Sequence, residues 1–180
     1  MKNKIKTVFA PNATSQLIVE ETIKHIKKKV DVLDLGCGNG YIGLNIYKKK
    51  KNKIKSFSFS DLSKKATNKC KINAKKEGLK IIIKNGSMFE PWINQKFDLI
   101  VESVSAISEP VANWSPWYNK HITCKAGEDG TELVNDILKE GKRYLKKGGK
   151  IIFPIVSLSK KEKIINKAKK NYRTVKLLSS

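Results

Sequence analysis

The sequence predicts an α/β fold, a mostly parallel sheet with helices on both faces. Short apolar runs alternate with amphipathic stretches, a glycine turn follows the first run, and acidic or polar residues close several of the others. Right-handed crossovers then bring the carboxyl ends of the strands together, and a ligand crevice forms there.

A first helix is expected over about residues 14–28, where Leu17, Ile18, Val19, Thr22, Ile23 and Ile26 recur at helical spacing. Asn12 or Thr14 is its cap. The first strand begins at Val30 and runs into Asp34-Leu35-Gly36-Cys37-Gly38-Asn39-Gly40, before a second helix over about 41–48. Alternation of Ile54, Phe57 and Phe59 marks a second strand, closed by Asp61-Leu62-Ser63. A third helix, about 63–76, carries the narrow stripe Leu62, Ala66, Cys70 and Ala74. The third strand, about 80–83, leads to Asn85-Gly86-Ser87-Met88-Phe89, and the fourth covers 97–101. The strongest helix signal spans about 131–145, opened by Asp129-Gly130. A fifth strand at 151–153, a helix over about 159–170 and a last stretch at 172–178, long enough for one strand, complete the chain.

Glycines at alternate positions let backbone N–H groups approach a ligand closely, and Asp34 sets a carboxylate beside them. This arrangement suits a nucleoside carrying a cation better than one carrying phosphates. A dinucleotide turn needs a third glycine where Tyr41 stands, and no Lys-Ser or Lys-Thr follows as a P-loop requires. Asp61 lies 21 residues beyond Gly40, near the distance at which α/β cofactor domains place an acid on ribose hydroxyls. Asp34, Asp61, Ser87 and Glu102 all fall at strand ends, so one crevice collects them.

The 180 residues, 39% of them apolar, predict a single domain. With no long apolar run and no apolar signal core, the expectation is a cytoplasmic protein without a membrane partner. Cys37, Cys70 and Cys124 support neither a disulfide framework nor a zinc site, and no metal is expected. The net charge of +22 keeps nucleic acid open as a partner. Yet of 38 basic residues only Arg143 and Arg173 are arginine, the residue favoured for base reading and bidentate phosphate contacts. The lysines are scattered along the chain, and solvated faces in a lysine-rich composition account for them equally well.

The segment Asp34–Gly40 resembles the first motif of the class I S-adenosylmethionine-dependent methyltransferases, whose turn lies under the methionine part of the cofactor. Asn85–Phe89 resembles the loop lining the adenine ring, and Tyr144-Leu145-Lys146-Lys147-Gly148-Gly149 the approach to the fifth strand. Within these enzymes the chain is most similar to the small-domain group that includes release-factor glutamine and ribosomal RNA guanine methyltransferases. Val8-Phe9-Ala10-Pro11 with Thr14 resembles that group's segment over the cofactor, and Ala126-Gly127-Glu128-Asp129-Gly130 its turn before the fifth-strand helix. The resemblance implies a Rossmann-like methyltransferase fold whose final strand pair is incomplete here, leaving an edge suited to a homodimer. It also implies S-adenosyl-L-methionine as cofactor, held by Thr14, Asp34, Gly36, Cys37, Gly38, Asn39, Gly40, Asp61, Leu62, Ser87, Met88 and Glu102. Residues 1–29 would form the cofactor-covering segment and first helix.

One departure stands out. Where that group has Asn-Pro-Pro-Tyr after the fourth strand, this chain reads Glu102-Ser103-Val104-Ser105-Ala106, so the device that holds a planar nitrogen is absent. A long segment, about 103–127, takes its place as a substrate lid containing Ser103, Glu109, Trp114, Trp117, Tyr118 and His121. Glu102 is a candidate base, or else a hydrogen-bond acceptor for backbone or cofactor. His121 has the pKa range for proton transfer, though a lone loop histidine equally suits the surface. The aromatic residues either pack the lid or stack on a substrate. The expected function is methyl transfer to a small or planar acceptor, a small molecule or a protein group, with an RNA-associated methyltransferase or RNA-binding protein as the alternative.

Overall fold

The computed structural model describes residues 7–120, 122 and 124–179. Helix α1 (Ala13–His25) precedes β1 (Val30–Leu35), followed by α2 (Tyr41–Lys50), β2 (Ile54–Asp61), α3 (Lys64–Lys76), β3 (Ile82–Asn85) and β4 (Phe97–Glu102). Then come α4 (Glu109–Trp114), α5 (Glu132–Glu140), β5 (Leu145–Ile152) and α6 (Lys161–Asn171). The strands form one sheet ordered β3-β2-β1-β4-β5, and every pairing is parallel. This is the predicted α/β class.

Side chains alternate across each strand, so the sheet buries two different surfaces. On one side Val32, Phe57, Phe59, Leu99 and Val101 pack with Ile18 and Val19 of α1, Leu44 and Ile46 of α2, and Cys70 and Ala74 of α3. On the other, Leu33, Leu35 and Ile100 pack with Trp92 and with Ile137 of α5. Val134 and Leu138 of α5 meet Ile164 and Ala168 of α6 in a third cluster. Trp92 is fully buried, its indole N–H donating to Ser60 Oγ at 2.9 Å and the Lys84 ammonium lying 4.5 Å from its ring centroid. The one polar atom of the ring is thereby satisfied.

Local signals set most boundaries. Asn12 caps α1 through a reciprocal bond pair with Ser15, and Ser63 caps α3 by accepting the Ala66 N–H. Helix α1 ends at His25, three residues early, and three further boundaries shift for reasons of packing or pairing. β3 begins at Ile82, two residues late, because its register is set by pairing with Ser58 and Phe59 of β2. Helix α5 ends at Glu140 instead of 145. Gly141 there lies against Ile151, where a Cβ would meet Ile151 Cδ1 at 2.5 Å, and the chain tightens into a 3₁₀ turn over Gly141–Tyr144. Pairing of Leu145 with Phe97 then starts β5 six residues early. Residues 172–179 carry no strand, so β5 is an outer strand among the described residues.

Candidate functional site

The loops at the carboxyl ends of β1, β2, β3 and β4 converge on one open cleft of about 1620 Å³. Its floor is the glycine turn. Gly36, Gly38 and Gly40 all have positive φ, at 77°, 55° and 85°, a region that costs side-chain-bearing residues strain. Space is equally decisive: a Cβ at Gly36 would meet Val104 Cγ1 at 2.8 Å, and one at Gly40 would meet Cys70 Sγ at 2.6 Å. Above Gly38 there is open room.

The turn is pinned from both neighbouring strands. Gly36 and Cys37 N–H groups donate to the Ser60 carbonyl at 2.9 Å each, and Gly38 N–H donates to Asp61 Oδ2 at 2.9 Å. Asp61 Oδ1 accepts from Ser63 N–H at 2.8 Å. On the other side Ser103 donates its N–H to Leu35 and its hydroxyl to the Gly36 carbonyl at 3.0 Å. Asn85, in register with Asp61, donates to the carbonyls of Asp61 and Leu62. That clamp was not anticipated from the sequence, although an amide directly before Gly86 at a strand end is its visible signal.

Of the expected cofactor residues, Thr14, Gly36, Cys37, Gly38, Asn39, Asp61, Leu62, Ser87 and Met88 line the cleft. Leu62 is 70% exposed, an uncovered apolar side chain on the rim. Asp34, Gly40 and Glu102 do not line it. Asp34 lies beneath the turn, its Oδ2 accepting the Gly43 N–H of α2 at 2.9 Å, while Gly40 ends the turn packed on Cys70 and Leu44. Glu102 is buried under the next loop, with Oε1 accepting the Val104 N–H at 2.6 Å. Both carboxyls are fully buried, and Asp34 Oδ1 and Glu102 Oε2 have no hydrogen-bond partner among the described residues.

Burial pushes Asp34 up to about 7 and Glu102 up to about 8, against the pull of their single N–H donors. Asp61 is raised too, again by burial first. Each additional negative charge reinforces the next, Asp61 on Asp34 and Asp34 on Glu102. Among the described residues no lysine contributes to holding any of the three down. The Cys37 thiol, hydrogen-bonded to Cys70 and buried, also titrates well above its usual range.

The segment expected as a lid contains α4. Trp117 and Tyr118 line the cleft with Ser103, and the Tyr118 ring meets Phe9 of the N-terminal segment at 5.8 Å between centroids. Burial raises the Tyr118 hydroxyl. Glu109 is turned away: its Oε1 accepts the Gly127 N–H at 3.0 Å and its own N–H donates to the Gly127 carbonyl, tying the two ends of the lid. Trp114 is 91% exposed and stands outside the cleft. His121 lies outside the described residues. The far wall, unexpected from the sequence, comes from β5 and the segment 172–179.

A parallel sheet with a glycine turn, an acid at the second strand end and an apolar rim defines a nucleoside-binding methyltransferase architecture. The chain belongs to the methyltransferase small-domain family of S-adenosylmethionine-dependent enzymes, whose family model matches residues 7–103. A release factor glutamine methyltransferase of Streptococcus pneumoniae is 30% identical over 82% of this chain and 54% of its own length. A Methanocaldococcus jannaschii relative, provisionally named a protein N5-glutamine methyltransferase, is 30% identical over 90% of this chain and 79% of its own. The chain spans about half the length of the S. pneumoniae relative and 30% of a bifunctional methyltransferase of Rickettsia typhi. Among solved structures, the ribosomal protein L11 methylase of Lactobacillus delbrueckii subsp. bulgaricus superposes with a TM-score of 0.67 at 22% identity, over 89% of this chain and 69% of that one. The T. thermophilus 16S rRNA N2 G1207 methyltransferase, solved with AdoMet and guanosine, gives 0.71 at 15% identity, over 96% and 42%. At these identities the structures speak for the fold.

Proposed function

We propose that the chain transfers the methyl group of S-adenosylmethionine to a macromolecular acceptor. The observation that carries the cofactor reading is Asp61, an acid at the cleft wall that clasps the glycine turn and has no basic side chain against it among the described residues, in a chain of net charge +22. Such an acid complements a ligand that brings hydroxyl donors and its own positive charge. The remaining lining fits the same group. Asp61 offers acceptors for the sugar hydroxyls, and Leu62 and Met88 offer an apolar surface for a ring.

Bound there, the sulfonium supplies an electrophilic methyl carbon. The chain's own residues hold, orient and enclose. Phe9 and Tyr118 meet ring to ring where both line the cleft, and Ser103 fixes the floor against the exit of β4. Glu102, beneath that floor, is placed to shape the Ser103–Val104 turn rather than to touch an acceptor. The names of the relatives, protein glutamine and ribosomal RNA among them, favour a macromolecular acceptor over the small or planar one expected from the sequence. The missing Asn-Pro-Pro-Tyr leaves its reacting atom open to a different holding device.

The test is incubation of the purified chain with methyl-labelled S-adenosylmethionine and a cell extract, followed by separation into protein, RNA and small-molecule fractions. Label in protein or RNA is expected. Label confined to small molecules would overturn the acceptor assignment, and absence of both transfer and cofactor binding would overturn the activity.

A further inference from the structure

The lysines that look scattered along the sequence are not scattered on the fold. In a parallel sheet with helical crossovers, the amino ends of the strands and the carboxyl ends of the helices share one side, opposite the glycine turn; toward β5 the far wall of the cleft, with Gly148 and Lys169, reaches this side. Four strands are led in by exposed lysine, and β5 carries one in its irregular opening. Across the sheet the order is Lys80 at β3, Lys53 at β2, Lys28 at β1, Lys96 at β4 and Lys147 at β5. At strand spacings of about 4.8 Å this row is roughly 19 Å wide.

The helix ends add to it. Helices α2 and α3 finish in lysines, and so does α6. Helix α6 points the same way as α5, because Lys163 near its start pairs with Asp129 before α5, and the Tyr172 hydroxyl at its end approaches Gly141 after α5. Acids on this side are already engaged: Asp31 and Asp98 with Lys146, Glu77 with Lys48, Glu140 with Arg143. The loops and helix starts at the cleft end carry seven acids, Asp61, Glu109 and Asp129 among them, alongside seven lysines, Lys64, Lys65, Lys160 and Lys161 among them, so formal charge there nearly cancels.

We infer that the side of the sheet opposite the glycine turn is a docking surface for the phosphate backbone of RNA, bound without reading its sequence. Lysine supplies point charges on flexible stems and lacks the fork geometry that selects bases, so the surface tracks a backbone. The surface itself follows from topology and charge alone; the choice of RNA rests on the macromolecular-acceptor reading above. Placed behind the cleft, it would retain the protein on a ribonucleic particle while leaving the lid free to engage an acceptor.

The test is fluorescence anisotropy with a labelled oligouridylate of about 20 nucleotides across a salt series. The quadruple variant Lys28→Glu, Lys53→Glu, Lys96→Glu, Lys147→Glu is compared with an equal charge change at the cleft end, Lys64→Glu, Lys65→Glu, Lys160→Glu, Lys161→Glu. Wild type is expected to bind with a steep salt dependence. The first variant should bind at least tenfold more weakly and lose roughly three units of log–log slope, about 0.7 for each phosphate contact removed. The second should stay within about threefold of wild type. Titration with S-adenosylmethionine reports folding and cofactor binding separately, and both variants should match wild type there. Equal losses in the two variants would reduce the effect to net charge and overturn the surface. So would absence of RNA binding at about 100 mM salt, or tighter retention on phosphatidylserine-containing vesicles than on RNA.

Discussion

The carboxylate of Asp61 holds the Gly38 N–H at 2.9 Å, so the end of β2 clasps the turn that follows β1. Its second oxygen holds Ser63 N–H. Each oxygen keeps one further acceptor position for a sugar hydroxyl. One side chain thereby sets the floor's shape and offers the ligand contact.

Asp61→Asn keeps the size but turns one acceptor into a donor facing a backbone N–H, and Asp61→Ala leaves both N–H groups unpaired. Either change should weaken S-adenosylmethionine binding by roughly ten- to a hundredfold, the range of a lost charged hydrogen bond. Calorimetric titration reads it directly. Unchanged affinity in both variants, with normal circular dichroism, would remove Asp61 from the site.

Acid–base linkage gives a second expectation. Glu102 titrates near 8 in the folded chain against an ordinary 4.5, so the folded state keeps a proton that the unfolded state has released between those values. Stability therefore falls as pH rises through this window and levels off above it. Asp34, raised to about 7, contributes in the same direction. Glu102→Gln retains an acceptor for Val104 N–H and never becomes charged. Its melting temperature should exceed wild type by roughly 3 °C or more at pH 9, with no such advantage near pH 4. Parallel melting curves for the two proteins across pH would contradict the burial of an unpaired carboxyl.

The Phe9 and Tyr118 rings join two segments more than a hundred residues apart in sequence across the cleft mouth. Phe9→Ala and Tyr118→Ala should each weaken cofactor binding, and the double variant should lose less than the sum. A coupling of about 0.5–1.5 kcal/mol is expected for such a pair. Strict additivity in the cycle would show that the segments close independently.

The sheet, its helices and the glycine turn were legible because they rest on local patterns: period-two alternation at Phe57 and Phe59, apolar spacing in α1, and glycines that need no partner to signal positive φ. Boundaries that depend on distant contacts were not. The early start of β5 follows from pairing with Phe97, and the early end of α5 from the fit of Gly141 against Ile151. The lid shows the same limit. Glu109 and Trp114 share a short helix with the cleft below it, yet one faces the Gly127 hinge and the other the solvent.

Residue type and spacing alone determined the parallel architecture, the position of the crevice and the acids gathered at its strand ends, since hydrophobic period and turn chemistry are properties of neighbouring residues. Tertiary structure decided which of those acids reach the crevice. Asp34 and Glu102 lie beneath it and Asp61 stands at its wall, because depth depends on which loop folds over each strand end. The same holds for the lysines, whose gathering on one side of the sheet arises only when chain direction is repeated five times in parallel.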